Sequence, residues 1–353
     1  MISLSKNKVY PISEKYDIIC FMEKKKIVDT VKLEQGTYLE KKFDNYLDMA
    51  KHAVDWTLFC HYKLRANCVE GVYKILKLSS MQISYTKEVG GIMYDFATPK
   101  ESICISIMIN IEDKACIKEM KIKNGMMVIT RSEKIYNFLT NSGIEVLDIS
   151  CSKKENSLLY KTLKPYADKF FYDEDKSVQN TLLAILKKYE GDTTLDTKII
   201  RQIEDEVTKA VVKTLQSQEV NTPHFTGSEQ KAMKIREQIF HHMDSSVSVE
   251  KLALEHNVSE KSLQTAFKSL FGFTPTRFIR LMKLNLVNHE LLKSKSSEVT
   301  VLRVARKWGF RHMGRFSAYY REIFLETPSV TLKKENSISN GMSTYCVERR
   351  EEI

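Results

Sequence analysis

The chain has 353 residues, 42% apolar and 28% charged, with a formal net charge of +10. That composition excludes collagen-like, wholly disordered and rod-like coiled-coil classes, and the length suits two packed domains. No apolar run reaches the ~18 residues of a membrane span, and the first residues lack the apolar stretch of a secretory leader. The seven cysteines (Cys20, Cys60, Cys68, Cys104, Cys116, Cys151 and Cys346) are scattered without a C-x-x-C spacing. They point to a reducing cytoplasm rather than a disulfide framework or a structural zinc site.

In chain order, residues 40–54 read as a helix with Phe43, Leu47, Ala50 and Val54 on one face. Strands are expected at 69–77, 81–85 and 92–96. Ile103, Ile105, Ile107, Ile109 and Ile111 alternate with Cys104, Ser106, Met108 and Asn110, the period-2 pattern of a half-buried strand. Segments 117–123 and 126–130 flank Asn124-Gly125, a strong hairpin signal because both residues tolerate positive φ. Asn141-Ser142-Gly143 then turns a strand at 136–140 into one at 144–149. Residues 1–172 are thus expected to form an antiparallel barrel or sandwich with a peripheral helix.

A helical texture follows over residues 173–227. Ser177 is expected to cap a helix containing Leu182, Leu183, Ile185 and Leu186 and ending before Gly191. A longer helix over 195–216 carries Ile199, Ile203, Val207, Val211 and Leu215 as one apolar stripe. Such a stripe packs on its own domain or pairs with a second copy. We take it as a candidate homodimer surface. Residues 217–227, with Pro223 and Gly227, read as a linker, and Ser228 as the cap of the next helix. The polar, aperiodic tail at 335–353 is expected to be disordered.

Residues 229–334 hold 19 Lys and Arg against 10 Asp and Glu, which is nearly all of the chain's excess positive charge. This is the footprint of a nucleic-acid-binding domain, or of a solvated basic surface. The same region contains a repeat at an offset of 53 residues. Leu263, Phe267, Phe271 and Thr274-Pro275 in the first copy correspond to Phe316, Tyr320, Phe324 and Thr327-Pro328 in the second. Residues at i, i+4 and i+8 make one buried helix face, and Thr-Pro starts a new helix. Upstream, Leu252-Ala253 and Asn257-Val258 match Val304-Ala305 and Gly309-Phe310, with one extra residue in the second turn. A small Ala permits close helix crossing, and Asn or Gly makes a left-handed turn. The pattern is two helix-turn-helix units.

Residues 228–334 resemble the DNA-binding domain of the AraC/XylS family, on Leu252, Ala253, Ser259, Leu263, Phe267, Phe271-Gly272, Thr274-Pro275, Ala305, Gly309-Phe310, Phe316, Phe324 and Thr327-Pro328. Residues 309–329 are similar to a subset that includes ethanolamine-operon regulators. Leu325 departs from that pattern, where a Gly commonly ends the second recognition helix, and so does Arg311, where that subset often has an aromatic. The resemblance implies seven helices, with a long connecting helix near 275–293 between the two units. It also implies an activator that works with RNA polymerase, and a cupin-like sensor domain in the N-terminal half. The expected architecture is α+β multidomain: an antiparallel β sensor domain, a helical linker and an all-α double helix-turn-helix domain.

The first recognition helix should span 260–270, with Lys261, Gln264, Thr265 and Lys268 outward. The second should span 313–324, with Arg315, Tyr319 and Arg321 outward. Gln264 suits adenine, and Arg315 suits guanine O6 and N7. Lys307, Arg311 and His312 lie near the second turn, where phosphates pass. His52 and His61, nine residues apart and without a completing acid or thiol, make no metal site, and no cofactor is expected. His241-His242 are read likewise.

The expected function is a cytoplasmic, sequence-specific DNA-binding regulator that is not an enzyme, works as a homodimer on double-stranded DNA and has an N-terminal domain either for sensing a small-molecule effector or for dimerising. A methyl-accepting DNA-repair enzyme with the same DNA-binding domain would need a four-cysteine zinc cluster, and the cysteine spacing does not supply one. A ligand-free architectural DNA binder is the other alternative.

Overall fold

The computed structural model describes residues 29–334, apart from 67–68, 118–119, 133, 154–156, 192–193, 217–225, 242 and 244–247. The expected tail, most of the expected linker and His242 therefore lie outside the described residues. The N-terminal half is a sandwich of two antiparallel sheets. The larger sheet holds β1 (Tyr38–Phe43), β3 (Glu70–Lys77), β4 (Met81–Val89), β11 (Ile144–Ser152), β6 (Ser102–Ile111), β9 (Met126–Arg131) and β12 (Phe170–Tyr172), in that order. The smaller holds β2 (Thr57–Lys63), β5 (Ile92–Ala97), β10 (Tyr136–Thr140), β7 (Ala115–Ile117) and β8 (Met120–Lys121).

Two local expectations are corrected. The helix expected over 40–54 is shortened to α1 (Tyr46–His52), because Tyr38–Phe43 pairs with β3 as an edge strand. Asn45 sets the helix start: its side chain accepts the Asp48 N–H at 2.8 Å. Asn124-Gly125 does turn, with Gly125 at φ +78°, but it closes no hairpin. The strand before it pairs with β7 in the small sheet, whereas β9 pairs with β6 and β12 in the large one. The Asn124 side chain accepts the Ile111 N–H at 2.8 Å, so the turn carries the chain between sheets.

Strand β6 is buried on both faces rather than one. Ile103, Ile105 and Ile107 join a core under helices, while Met108 joins the core between the sheets. The pairing of β6 with β11 skips at Ile109: Glu145 faces Asn110 and Val146 faces Met108. One extra residue in a strand reverses the alternation beyond it, so Ile111 packs against the inter-sheet core instead.

The helices that cover the large sheet are α2 (Leu158–Leu163), α3 (Ser177–Lys188) and α4 (Thr197–Gln216). Ser177 is the first residue of α3 rather than its cap. The buried Asp173 carboxylate takes the capping role, accepting the Val178 and Gln179 N–H groups at 3.2 and 2.7 Å. The expected dimer stripe is corrected here. Ile203, Val207, Val211 and Leu215 are 0–5% exposed, Ile199 is half-buried, and all pack in the chain's own core against the sheet. A sheet with an apolar face on each side needs covering on both, and α4 supplies the second cover. The stripe thus has no apolar surface left for a partner, and the segment expected as a linker is part of this core.

The C-terminal region contains α5 (Gly227–His241), α6 (Val249–Glu255), α7 (Glu260–Phe271), α8 (Pro275–Lys293), α9 (Val301–Lys307), α10 (Met313–Phe324) and α11 (Pro328–Lys333). Thr226, not Ser228, starts α5 through a capping box. Its hydroxyl accepts the Glu229 N–H at 3.2 Å, and the Glu229 carboxylate accepts the Thr226 N–H at 3.1 Å. The outer face of the small sheet packs on these helices, with Tyr62, Leu64, Met93 and Leu139 joining the helical core. Asn285 of α8 seals the junction: it accepts the Lys63 N–H at 2.7 Å and donates to the Lys63 carbonyl at 2.9 Å.

Placing Glu at both Ile203 and Val207 should therefore unfold the sandwich rather than give monomers. Loss of one large buried apolar side chain costs about 2–5 kcal/mol before any charge is buried. Thermal melts followed by far-ultraviolet circular dichroism should lose most of their β signal. A wild-type melt accompanied by a shift from dimer to monomer would show the packing to be otherwise.

Candidate nucleic-acid interface

The two repeat copies fold alike, apart from the extra residue in the second turn. In the first, the Val258 N–H donates to the Ala253 carbonyl at 3.0 Å; in the second, the Phe310 N–H donates to the Ala305 carbonyl at 2.9 Å. Asn257 (φ +50°) and Gly309 (φ +88°) make the left-handed turns that the spacing predicts. Ala253 and Ala305 are buried at the helix crossings. Leu263 and Phe267 in α7, and Phe316 and Tyr320 in α10, are at most 1% exposed. Thr274 and Thr327 cap α8 and α11, their hydroxyls accepting the Arg277 and Val330 N–H groups at 3.3 and 3.4 Å.

Each recognition helix therefore buries one face and shows the other. Lys261, Gln264, Thr265, Lys268, Lys307, Arg311, His312, Arg315 and Arg321 are all exposed, and Tyr319 is half-buried. Three of them have partners inside the chain. Thr265 donates its hydroxyl to the Lys261 carbonyl at 3.0 Å, one turn back. Lys307 is ion-paired with Glu290 at 2.8 Å, and Glu290 also accepts the Trp308 Nε1–H at 2.8 Å. The Arg280 guanidinium lies 4.0 Å from the centre of the Tyr319 ring. Among the described residues, Lys261, Lys268, Arg311, Arg315 and Arg321 form no ion pair.

Sequence reasoning missed Arg280 and Arg277, which sit on α8 beside α10; Arg277 reaches Glu322 at 3.8 Å. Their signal was the i, i+3 spacing of two arginines in a helix otherwise read as a spacer. It also missed how α7 is held. Asn141 donates to the Phe271 carbonyl at 2.7 Å, and the Cys116 thiol to the Leu270 carbonyl at 3.2 Å. The sandwich thus grips the C-terminal end of the first recognition helix and leaves its N-terminal turns open. The second recognition helix is held differently. It is tied through a buried chain in which Asn288 donates to the Tyr320 hydroxyl at 2.7 Å, and that hydroxyl donates to Thr331 at 2.9 Å.

A second feature lies inside the sandwich. A partly open cavity of about 100 Å³ lies between the sheets and is lined by Gln82, Ser84, Thr86 and Glu88 of β4, Asp148 of β11, and Tyr94, Phe96 and Phe138 of the facing sheet. Burial lifts the Glu88 carboxyl to about 8 and the Asp148 carboxyl to about 6. No group of three or more His, Cys, Asp or Glu side chains able to hold a metal ion occurs among the described residues. His52 contacts Asp48 at 3.2 Å, and His61 stacks on Tyr46 at 3.9 Å.

Residues 252–334 match the family described as "Helix-turn-helix domain". The "Probable thc operon regulatory protein" of Rhodococcus erythropolis is 32% identical over 92 residues, which is 26% of this chain and 28% of that protein. The "XylDLEGF operon transcriptional activator 2" of Pseudomonas putida is 40% identical over 87 residues, 25% of this chain and 55% of that protein. The chain thus spans 28% of the first relative's length and 55% of the second's. Among solved structures, the "AraC-like transcriptional activator CuxR" aligns over 68% of this chain and 86% of that one, at 10% identity and a TM-score of 0.34.

Gly272 ends α7 at φ +73°, and Leu325 ends α10 in the same left-handed state at φ +58°. An L-residue there costs roughly 1–2 kcal/mol, partly offset by the extra unfolded-state freedom of Gly. Leu325 is 58% exposed and adds little packing. Leu325→Gly should therefore raise the melting temperature of the helical domain, by about 0.5–1 kcal/mol of stability. A lowered melting temperature would mean that the Leu325 side chain anchors α11.

Proposed function

We propose that this chain, whose residues 252–334 are an AraC-type helix-turn-helix domain, is a sequence-specific DNA-binding transcription regulator and an activator. The observation that carries the reading is the doubled unit. Two recognition helices each bury a complete apolar face and present unpaired cations on the other. They are joined by α8, whose 19 residues span about 28 Å at 1.5 Å per residue. That length is close to the ~34 Å between successive major-groove faces. The activator role rests on the names of the relatives, which are regulators rather than enzymes; contact with RNA polymerase goes with it.

In this reading Gln264 and Arg315 contact base edges, and Lys261, Lys268, Arg311, His312 and Arg321 contact phosphates. Tyr319 is a platform for Arg280, and Thr265 offers its methyl group. Residues 228–334 bind DNA, and the sandwich with its covering helices is the sensor, its cavity taking a small effector. No helix of the described residues is long and apolar enough to cross a membrane, which is compatible with work on cytoplasmic DNA. Homodimer formation on DNA stays part of the proposal, through a surface other than the α4 stripe.

Titration of cognate and scrambled duplexes at several salt concentrations tests the assignment. Arg315→Ala should cost about 1–3 kcal/mol on the cognate site and relax preference at one base position. Arg311→Ala should weaken both duplexes alike and reduce the salt slope by about one. Lys307→Ala should do less than Arg311→Ala, since its charge is already shared with Glu290. Equal losses on both duplexes for Arg315→Ala would make Arg315 a backbone contact and overturn the register of α10.

A further inference from the structure

The inner face of β4 is polar over four successive inward positions. Gln82, Ser84, Thr86 and Glu88 alternate with Met81, Ile83 and Tyr85, which pack under the helices. Next to this row, Asp148 lies opposite Ser84 on β11 and accepts the Ser106 hydroxyl at 2.6 Å. A polar row between two packed sheets is expensive unless each group finds a partner. Here two do not: Oε1 of Glu88, a residue 2% exposed, and Oε1 of Gln82, also 2% exposed, have no hydrogen-bond partner. Among the described residues no Lys or Arg pairs with Glu88 or Asp148, and burial dominates the environment of both.

The opposite wall is aromatic. Tyr94 and Phe138 have ring centres 5.1 Å apart, and Trp56 and Phe96 lie 5.7 Å apart. All four line the cavity. One wall thus offers two carboxyl groups, which a bound cation would hold ionised, and the other offers aromatic rings. Both attract the same kind of guest, a cation, and aromatic faces prefer one that is weakly hydrated. A carboxylate guest would meet two acids and no buried cation. A hydrocarbon would leave the Glu88 and Gln82 oxygens unpaired. The volume limits the size, since a cavity of about 150 Å³ holds a benzene molecule.

We infer that the sandwich cavity binds a small organic ammonium ion, its charge seated against Glu88 and its carbon skeleton against Tyr94, Phe96 and Phe138. This assignment rests on the reading of the sandwich as an effector domain and gives that effector a chemical class. Asp148 and Gln82 would then take the remaining donors of a primary ammonium, or face the methyl groups of a quaternary one.

The chain has two tryptophans, and Trp308 lies in the helical region. The variant Trp308→Phe therefore leaves Trp56, on the cavity wall, as sole reporter. In that background, fluorescence is titrated with alkylammonium ions of two to four carbons and with tetramethylammonium. Alcohols and carboxylates of the same carbon skeletons serve as controls. The expected result is a saturable Trp56 response to at least one ammonium ion at millimolar concentration and none to the controls. Glu88→Gln should weaken that response at least about tenfold, as loss of a charge-assisted hydrogen bond does. This substitution keeps the shape and removes an uncompensated buried acid, so a cooperative melt no lower than wild type is expected from it. Asp148→Asn provides a second, independent variant with a smaller loss. Saturation by alcohols or carboxylates but not by ammonium ions would overturn the charge assignment and leave the effector reading standing. Ammonium binding unchanged in Glu88→Gln would overturn the seat at Glu88. Silence of Trp56 towards all three classes would overturn both the class and the effector reading of the cavity.

Discussion

The packing of α8 is the constraint on which the rest of the molecule depends. Phe278, Leu281, Met282, Leu284, Val287 and Leu291 are at most 2% exposed, and they lie around the helix rather than along one stripe. A helix buried over most of its circumference must be packed on several sides. Here α5, α7, α9, α10 and α11 share one core with it, and β2 of the sandwich packs against it as well. Its two buried amides divide the work. Asn285 holds the main chain of Lys63, and Asn288 holds Tyr320 of α10. One element thus links the two recognition helices and joins them to the sandwich.

That arrangement gives the two halves unequal relations to the sandwich. The first recognition helix is gripped at its C-terminal carbonyls by Asn141 and Cys116. A Cβ at Gly272 would meet the Asn141 amide nitrogen at 2.0 Å, so the contact also fixes the residue type at that turn. The second recognition helix meets the sandwich less closely and is held from within its own domain. The closest contacts of the sandwich with the recognition helices therefore fall on the first unit. The Asn141 turn belongs to the loop between β10 and β11, and both of those strands line the cavity. Cavity and recognition helix thus share one loop.

The helical domain was legible in the sequence almost to the residue, because its signals are local. Turn residues, Thr-Pro starts and the i, i+4, i+8 faces each specify structure within a dozen residues, and the repeat doubled every one of them. The sandwich was legible as strands but not as pairings. Asn124-Gly125 announces a turn, yet which sheet receives the next strand is decided by β6 and β12, which lie elsewhere in the chain. The stripe on α4 announces an apolar face without saying what covers it, and the unfilled side of the large sheet decided that. The cavity was missed for a related reason. Alternation along β4 suggests that the polar face looks outward, and only the second sheet turns that face into an interior. Of the candidate DNA-contact residues, exposure was correctly anticipated for nine. Tyr319 is half-buried, and the guanidinium of Arg280 on α8 lies over its ring.

The central claim is that one chain presents two recognition helices to one side of a duplex at a fixed spacing. Hydroxyl-radical footprinting tests it most directly, on a site selected by the full chain from random-sequence duplexes. Protein concentration is held where sedimentation shows a single copy bound. The account predicts two protected patches on the same face of the DNA, about one helical turn apart, with Arg315→Ala weakening only one of them. A single protected patch per copy, or selection that returns no sequence preference, would contradict it.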